Sequence, residues 1–241
     1  MSEPTLTPGV PSASLWEDFI DIFTSPSAVF RRREHSGFGL QLLVLTVLFA
    51  ILVLGTKSLL LPAIDADIAR QSAKMLHSNP GMTAEQMQKG RAMGEMIGPI
   101  AVIVLLPLMV VLTGLALWMV GKIFDSSQTA TQGMMVATYA FFPKLLYSIA
   151  SAIIAFLSNP DRLNGMSRVT VGLGAFLDPD KTSPVLMALL VRVDVFTLWA
   201  TVLLAIGLQI TGKLSKSNSY LAAAIVWCIG ALPGVLGALR S

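Results

Sequence analysis

Five long apolar runs dominate this sequence and restrict the chain to a small class of folds. Each run holds about the 20 residues that an α-helix needs to cross the hydrocarbon core of a bilayer. None shows the residue-by-residue alternation of a transmembrane β-strand, and the helix is the other structure that satisfies its own backbone in lipid. We therefore predict an all-α membrane protein with a five-helix transmembrane bundle. The predicted spans cover residues 38–56, 97–120, 131–157, 185–209 and 219–239.

The composition agrees with a chain that is surrounded mainly by lipid. Hydrophobic residues make up 54% of the sequence and charged residues only 13%, whereas soluble domains carry about 25% charged residues. The formal net charge is +3, but the basic residues form no continuous patch, so nucleic-acid binding is not expected. The expected partners are the lipid bilayer itself and, within it, other membrane proteins or further copies of this chain.

The segment before the first span is amphipathic. Residues 1–13 are rich in Pro, Ser and Thr and predict a flexible tail. Ser14 and Glu17 then have the spacing of a capping box. An apolar stripe with helical spacing follows, formed by Trp16, Phe19, Ile20 and Phe23. Because residues 14–34 are too short and too polar to span, we expect N-terminal interfacial amphipathic helices, which face either lipid or the protein's own helix ends.

Basic residues predict the orientation in the membrane. Arg31, Arg32 and Arg33 end the amphipathic segment and are expected at lipid headgroups. Lysines also lie in the short connections 121–130 and 211–218, and short connections weigh most in setting topology. We therefore expect a cytoplasmic N-terminus and an external C-terminus in the inner (plasma) membrane of a bacterium. Interfacial anchoring is predicted for Trp16 and for Trp118 at the end of the second span.

The long connection between the first two spans is predicted to contain helix. Residues 62–96 have the pattern of two helical pieces, broken at Asn79-Pro80-Gly81. Thr83 is the expected cap of the second piece, which continues towards the second span. The other long connection, residues 158–184, is less regular.

Small residues mark two candidate packing faces. Gly90, Gly94 and Gly98 follow one another at four-residue spacing into the second span, and Gly230 and Gly234 repeat that spacing in the fifth. Such spacing lets helix backbones approach closely. The faces could serve packing within the monomer or a dimer interface.

Three charged residues fall inside predicted spans, where a charge is costly and marks a structural or functional site. Lys144 lies near the middle of span three and Asp194 slightly outside the middle of span four. We predict that the two side chains face each other. Arg192 lies on the opposite side of its helix from Asp194, and we expect it to snorkel to the outer headgroups.

Lys144 and Asp194 each have alternative hydrogen-bond partners. Pro143 frees the carbonyl of Tyr139, which Lys144 could contact instead. Thr197 and Thr201 lie on or near the Asp194 face and could donate to its carboxylate. The cluster could therefore fix helix packing, or it could form a proton- or ion-coupled site.

Several strings resemble the Yip (Ypt-interacting protein) family of membrane domains, in its bacterial branch. They are Leu15-Trp16-Glu17-Asp18, Ser25-Pro26-Ser27-Ala28-Val29-Phe30, Met82-Thr83-Ala84-Glu85-Gln86, Asp194-Val195-Phe196-Thr197-Leu198-Trp199 and Ala205-Ile206-Gly207-Leu208. The resemblance implies a five-span membrane domain, here residues 35–241, with a cytoplasmic N-terminus and a non-enzymatic role. Eukaryotic members of the family act in vesicle trafficking and associate with small GTPases.

Catalytic and metal-binding patterns are absent from the sequence. It contains no nucleophile elbow, zinc-protease or phosphate-loop motif. His35 and His77 are isolated, so neither a metal nor a cofactor is expected. We therefore predict a protein that is not an enzyme and that organises or binds other membrane components. The alternative is a small transporter or channel that uses Lys144 and Asp194.

Overall fold

The structure, a computed structural model, describes residues 14–78, 81, 83–159 and 163–239. The predicted tail, residues 1–13, and most of the predicted break at residues 79–81 lie outside them. The α-helices are α1 (Leu15–Thr24), α2 (Pro26–Arg33), α3 (Gly39–Ser78), α4 (Ala84–Ile123), α5 (Ala130–Ala140), α6 (Pro143–Leu157), α7 (Pro184–Leu190), α8 (Val195–Gly212) and α9 (Lys216–Ala238). Two short 3₁₀ turns, Met166–Val169 and Leu173–Phe176, lie between α6 and α7.

Five helical stretches are long and apolar enough to cross a membrane. Four are the single helices α3, α4, α8 and α9, and the fifth is formed by α5 and α6 together. The described residues form helices and turns and contain no strand. The predicted all-α, five-span fold with a preceding amphipathic segment is confirmed.

Helices α3 and α4 run far beyond the apolar runs that predict them. Each contains 40 residues, which corresponds to a length of about 60 Å, or twice the hydrocarbon thickness. The predicted helical pieces in residues 62–96 are thus continuations of the spans. Thr83 caps α4, and its hydroxyl accepts a hydrogen bond from the amide of Gln86 at 3.3 Å. Hydropathy indicates which part of a helix suits lipid, whereas backbone hydrogen bonding decides where the helix ends.

The predicted third and fourth spans are each interrupted. Helix α5 ends at Ala140 and α6 begins at Pro143, because proline lacks the amide hydrogen that would continue the helix. The prediction of one helix over residues 185–209 is wrong, since α7 ends at Leu190 and α8 begins at Val195. The extended backbone of Asp194 begins the second piece as its N-cap.

Helices α5 and α8 form the centre of the bundle. Met135 and Tyr139 of α5 and Leu203 and Leu208 of α8 are fully buried. Helices α4 and α5 cross closely, because a Cβ atom added to Gly114 would lie 2.5 Å from the Cα of Met134. Central helices with small contact residues allow the others to pack around them.

The amphipathic segment runs along the bundle from near the middle of the third span to one end, where α2 finishes. Rings of Phe19 and Phe142 lie 4.5 Å apart between centroids, and those of Phe23 and Trp199 lie 5.3 Å apart. In contrast, the side chain of Trp16 is 69% exposed. The stripe therefore faces the protein on one side and leaves its outer edge free for lipid.

Segments predicted to share one side of the membrane meet at this end. Lys213 forms a 2.8 Å ion pair with Glu34 after α2, and Gln132 donates to the carbonyl of Glu34 at 3.2 Å. The amide of Ser127 donates to the carbonyl of Gly212 at 3.1 Å. The amphipathic segment and both short connections thus share one end of the bundle.

Candidate functional site

Asp194 caps the N-terminus of α8. Its Oδ1 accepts hydrogen bonds from the amides of Phe196 at 2.9 Å and Thr197 at 2.8 Å. Its Oδ2 accepts from the hydroxyl of Thr197. A carboxylate at this position satisfies helix amides that have no partner and interacts favourably with the helix dipole. The burial of Asp194 is therefore compensated largely by its own helix.

Lys144 lies in the first turn of α6 and faces this cap. Its ammonium donates to the hydroxyl of Thr197, and its Nζ lies 3.9 Å from Oδ2 of Asp194. The alternative acceptor, the carbonyl of Tyr139, instead accepts from the amide of Phe142 at 3.2 Å. Thr201 donates to the carbonyl of Thr197 at 2.9 Å. The structure thus brings Lys144, Asp194 and Thr197 together, and Thr201 borders them.

Arg192 is directed into the protein, which corrects the expectation that it snorkels outward. Its Nη2 lies 3.4 Å from the carbonyl oxygen of Trp227, and its guanidinium lies 5.7 Å from the Trp227 ring centroid. The turn between α7 and α8 removes Arg192 from a continuous helix and points it at α9. Gly230 leaves room for it, since a Cβ there would lie 2.9 Å from Nη2.

A cavity of about 460 Å³ lies beside these residues. Lys144, Arg192 and Thr197 line it, among mostly apolar side chains. Asp194 is absent from its wall. A second cavity of about 410 Å³ shares Tyr147 with the first and extends along α3 and α4. The charged side chains that line the first cavity are therefore both cations, and the neighbouring carboxylate of Asp194 does not line it.

A second charged cluster, between the amphipathic segment and α5, was not predicted. The carboxylate of Asp18 is fully buried and lies 2.5 Å from Nη2 of Arg32 and 2.6 Å from Nε of Arg33. The hydroxyl of Tyr139 donates to Asp18 at 2.8 Å. Partial burial alone would lower the pKa of Arg32, but hydrogen bonds to Asp21 and Asp18 raise it.

This cluster corrects the expected placement of two arginines. Arg32 and Arg33 are turned towards Asp18 rather than towards headgroups, and Arg31 is exposed. Helical periodicity places Asp18 on the polar side of α1, and that side faces α2 once the chain reverses at Ser25. The sequence signal is an acidic patch followed by a basic one across a Ser-Pro break.

The two predicted glycine faces have different surroundings. Gly90, Gly94 and Gly98 have nothing within 4 Å of an added Cβ atom among the described residues. Gly230 contacts Arg192, whereas an added Cβ at Gly234 would lie 3.8 Å from Ala188 of α7.

The close contacts that were not predicted lie at other small residues. A Cβ added to Gly133 would lie 2.6 Å from the carbonyl oxygen of Gly114, and one added to Gly207 would lie 2.2 Å from Val136. Trp118 is half-buried, and its Cβ lies 3.2 Å from the position of a Cβ atom added to Gly133. Trp118 therefore contributes to the α4–α5 contact.

Metal chemistry has no visible site in the described part of the chain. Groups of three or more His, Cys, Asp or Glu side chains that could hold an ion are absent there. Cys228 is a free, exposed thiol. The charged residues described above are therefore the candidate functional groups.

Comparison with known proteins agrees with this architecture. A relative, "Membrane protein YknW" of Bacillus subtilis (strain 168), is 27% identical over 218 residues, which cover 86% of this chain and 84% of the relative. No solved structure matches the chain. The family model described as the Yip1 domain matches residues 20–238, from the amphipathic segment to the last span. The chain therefore belongs to the Yip1 domain family.

Proposed function

We propose that this chain is a non-enzymatic membrane protein that organises or binds other membrane components. The observation that carries the proposal is the open glycine face of α4, formed by Gly90, Gly94 and Gly98, which we call the α4 glycine face. Without side chains, this face lets a partner helix approach the α4 backbone closely. Nothing described in the monomer occupies that space.

Helix α4, which carries this face, and its neighbour α3 are the two spans least covered by the rest of the described protein. In the most apolar stretches of α3 and α4, 11% and 17% of the residues are buried, against 50% in α8. Lipid tails are as apolar as leucine side chains, so helices in a membrane gain no hydrophobic free energy by associating. Close packing drives their association instead. A glycine face on an uncovered helix is therefore the part of the surface best suited to a partner helix.

Site-specific photo-crosslinking in native membranes tests this proposal. A benzoylphenylalanine at Met93, which is 55% exposed beside the glycine face, is expected to yield discrete protein adducts whose partners are identified by mass spectrometry. The same probe at Leu236 of α9, which is 51% exposed, serves as the matched control and is expected to yield none.

A second substitution links the adducts to close helix approach. Gly94→Ile fills open space, so it should leave the melting temperature unchanged while removing the Met93 adducts. Adducts that persist in Gly94→Ile, or their absence at Met93 in the parent protein, would contradict the proposal. An adduct of twice the chain mass would identify a second copy as the partner.

A small transporter or channel at Lys144 and Asp194 is the second candidate, and the adjoining cavity of about 460 Å³ favours it. Its test is proton or solute flux in proteoliposomes, comparing the parent protein with Asp194→Asn. Flux that the substitution removes would support transport. Equal background flux in both proteins would count against it for the solutes tested.

A further inference from the structure

The cavity beside Lys144 presents more positive than negative charge. Two cations, Lys144 and Arg192, line it, whereas the neighbouring carboxylate of Asp194 does not. That carboxylate accepts two backbone amides and one hydroxyl at the α8 cap. One positive charge is therefore left over on the cavity wall.

Arg192 is the cation without a direct ion pair. Among the described residues, no carboxylate lies within 4.0 Å of its guanidinium nitrogens, and its buried Nε has no hydrogen-bond partner. The indole nitrogen of Trp227, which also lines the cavity, is likewise buried without a partner. A cation removed from water is stabilised when an anion reaches it.

The depth of the cavity indicates what kind of anion can reach it. Val102, Leu105 and Met109 line its α4 side, within the predicted span 97–120 and well inside the apolar part of that helix. These residues are also partly exposed on the protein surface, by 46%, 49% and 42%. An anion dissolved in the membrane therefore has a shorter route to Arg192 than one dissolved in water.

We propose that this cavity binds the carboxylate of a long-chain fatty acid, with Arg192 and Lys144 at the head and the apolar walls around the tail. One carboxylate balances the one excess positive charge. It also carries no further polar groups into a region that offers few donors, unlike a phospholipid headgroup. The adjoining apolar cavity of about 410 Å³ gives the tail room. Gly94 and Gly98 of the α4 glycine face also line this second cavity, but the head site at Arg192 and Lys144 lies apart from that face and does not depend on a protein partner.

Native mass spectrometry of the purified protein in a non-ionic detergent tests the proposal with oleate as the probe. We expect one oleate molecule to bind to each protein molecule. Methyl oleate, which has the same tail but no charge, should bind about tenfold more weakly. Arg192→Gln should weaken oleate about tenfold and leave methyl oleate unchanged, and Arg192→Lys should restore part of the affinity. Arg31→Gln, at an exposed arginine outside the cavity, is the matched control and should change neither ligand.

Three outcomes would overturn the proposal. Equal binding of oleate and methyl oleate to the parent protein would show that charge is not recognised, and this comparison needs no variant to fold. Displacement of oleate by equimolar acetate would show an anion site without a tail site. Displacement by an equal concentration of phosphatidylglycerol, but not by palmitate, would assign the site to a phospholipid instead.

Discussion

Asp194 serves two elements at once, since it caps α8 and lies 3.9 Å from the ammonium of Lys144. Its carboxylate is nearly inaccessible, at 2% exposure, whereas the Lys144 side chain is 30% exposed. The cap therefore depends on Asp194 alone, and the ion pair contributes less because its charged atoms lie 3.9 Å apart. This arrangement gives the residue a structural role that does not require transport.

Substitution of Asp194 separates these contributions. We expect Asp194→Ala to destabilise the protein by about 1 kcal/mol through loss of the cap, and further through loss of the charge opposite Lys144. Thr201→Ala removes only a hydroxyl that donates to the carbonyl of Thr197, so it should have a smaller effect. Melting temperatures in detergent measure both, and equal values would contradict this role of Asp194. The Asp194→Ala, Lys144→Ala double variant should recover part, but not all, of the loss.

Asp18 anchors the amphipathic segment to the bundle. Asp18→Asn leaves Arg32 and Arg33 without their shared carboxylate in a buried setting, and we expect a loss of about 3–5 kcal/mol. Asp21, which pairs with Arg32 at 2.9 Å and is 34% exposed, provides the matched control. Asp21→Asn should cost less than about 1 kcal/mol. Similar melting temperatures for the two variants would show that Asp18 is not the anchor.

Among the helices, α4 carries glycines in two different settings, one open and one in close contact with another helix. The regular pattern, Gly90-Gly94-Gly98, faces open space, and the isolated Gly114 lies against the backbone of α5. Four-residue spacing identifies a face on which helices could approach, but it does not indicate whether a helix of the same chain is there. Gly114 has no such spacing, so the sequence offers no signal for it.

Alanine substitutions distinguish the two patterns. Gly114→Ala places a Cβ atom 2.5 Å from the Cα of Met134, so α4 and α5 must separate, and we expect a loss of about 1–3 kcal/mol. A Cβ atom added at Gly94 meets nothing within 4 Å, so Gly94→Ala should not lower stability and should raise it slightly through helix propensity. Thermal unfolding in detergent measures both. A loss of stability in Gly94→Ala that equals the loss in Gly114→Ala would contradict the packing described.

For the whole molecule, the number of spans sets whether the two termini lie on the same side of the membrane. The amphipathic segment and both short connections meet at one end of the bundle, where Lys213 pairs with Glu34. Five helical stretches are long enough to span, and we predict that all five cross, which would place the N- and C-termini on opposite sides of the membrane. Lys and Arg in the short connections weigh more in setting topology than those in the long ones, which favours the cytoplasmic side for the N-terminus.

Reporter fusions test this topology. A reporter that is active only in the cytoplasm should work when fused to the N-terminus and fail at the C-terminus, and a reporter active only outside should show the reverse. Activity of one reporter at both termini would require an even number of crossings. Carbonate extraction, which leaves integral proteins in the membrane pellet, serves as the control for insertion.

The sequence by itself determined the class of fold, because bilayer thickness imposes a length on apolar runs that local composition reveals directly. It also determined the cap at Thr83, since that cap depends on neighbouring residues alone. Only the tertiary structure decided that Asp194 begins a helix, that Arg192 faces a cavity and that Asp18 lies between two arginines. These placements depend on how distant helices meet, and one-dimensional periodicity carries no information about which helix lies opposite a given face.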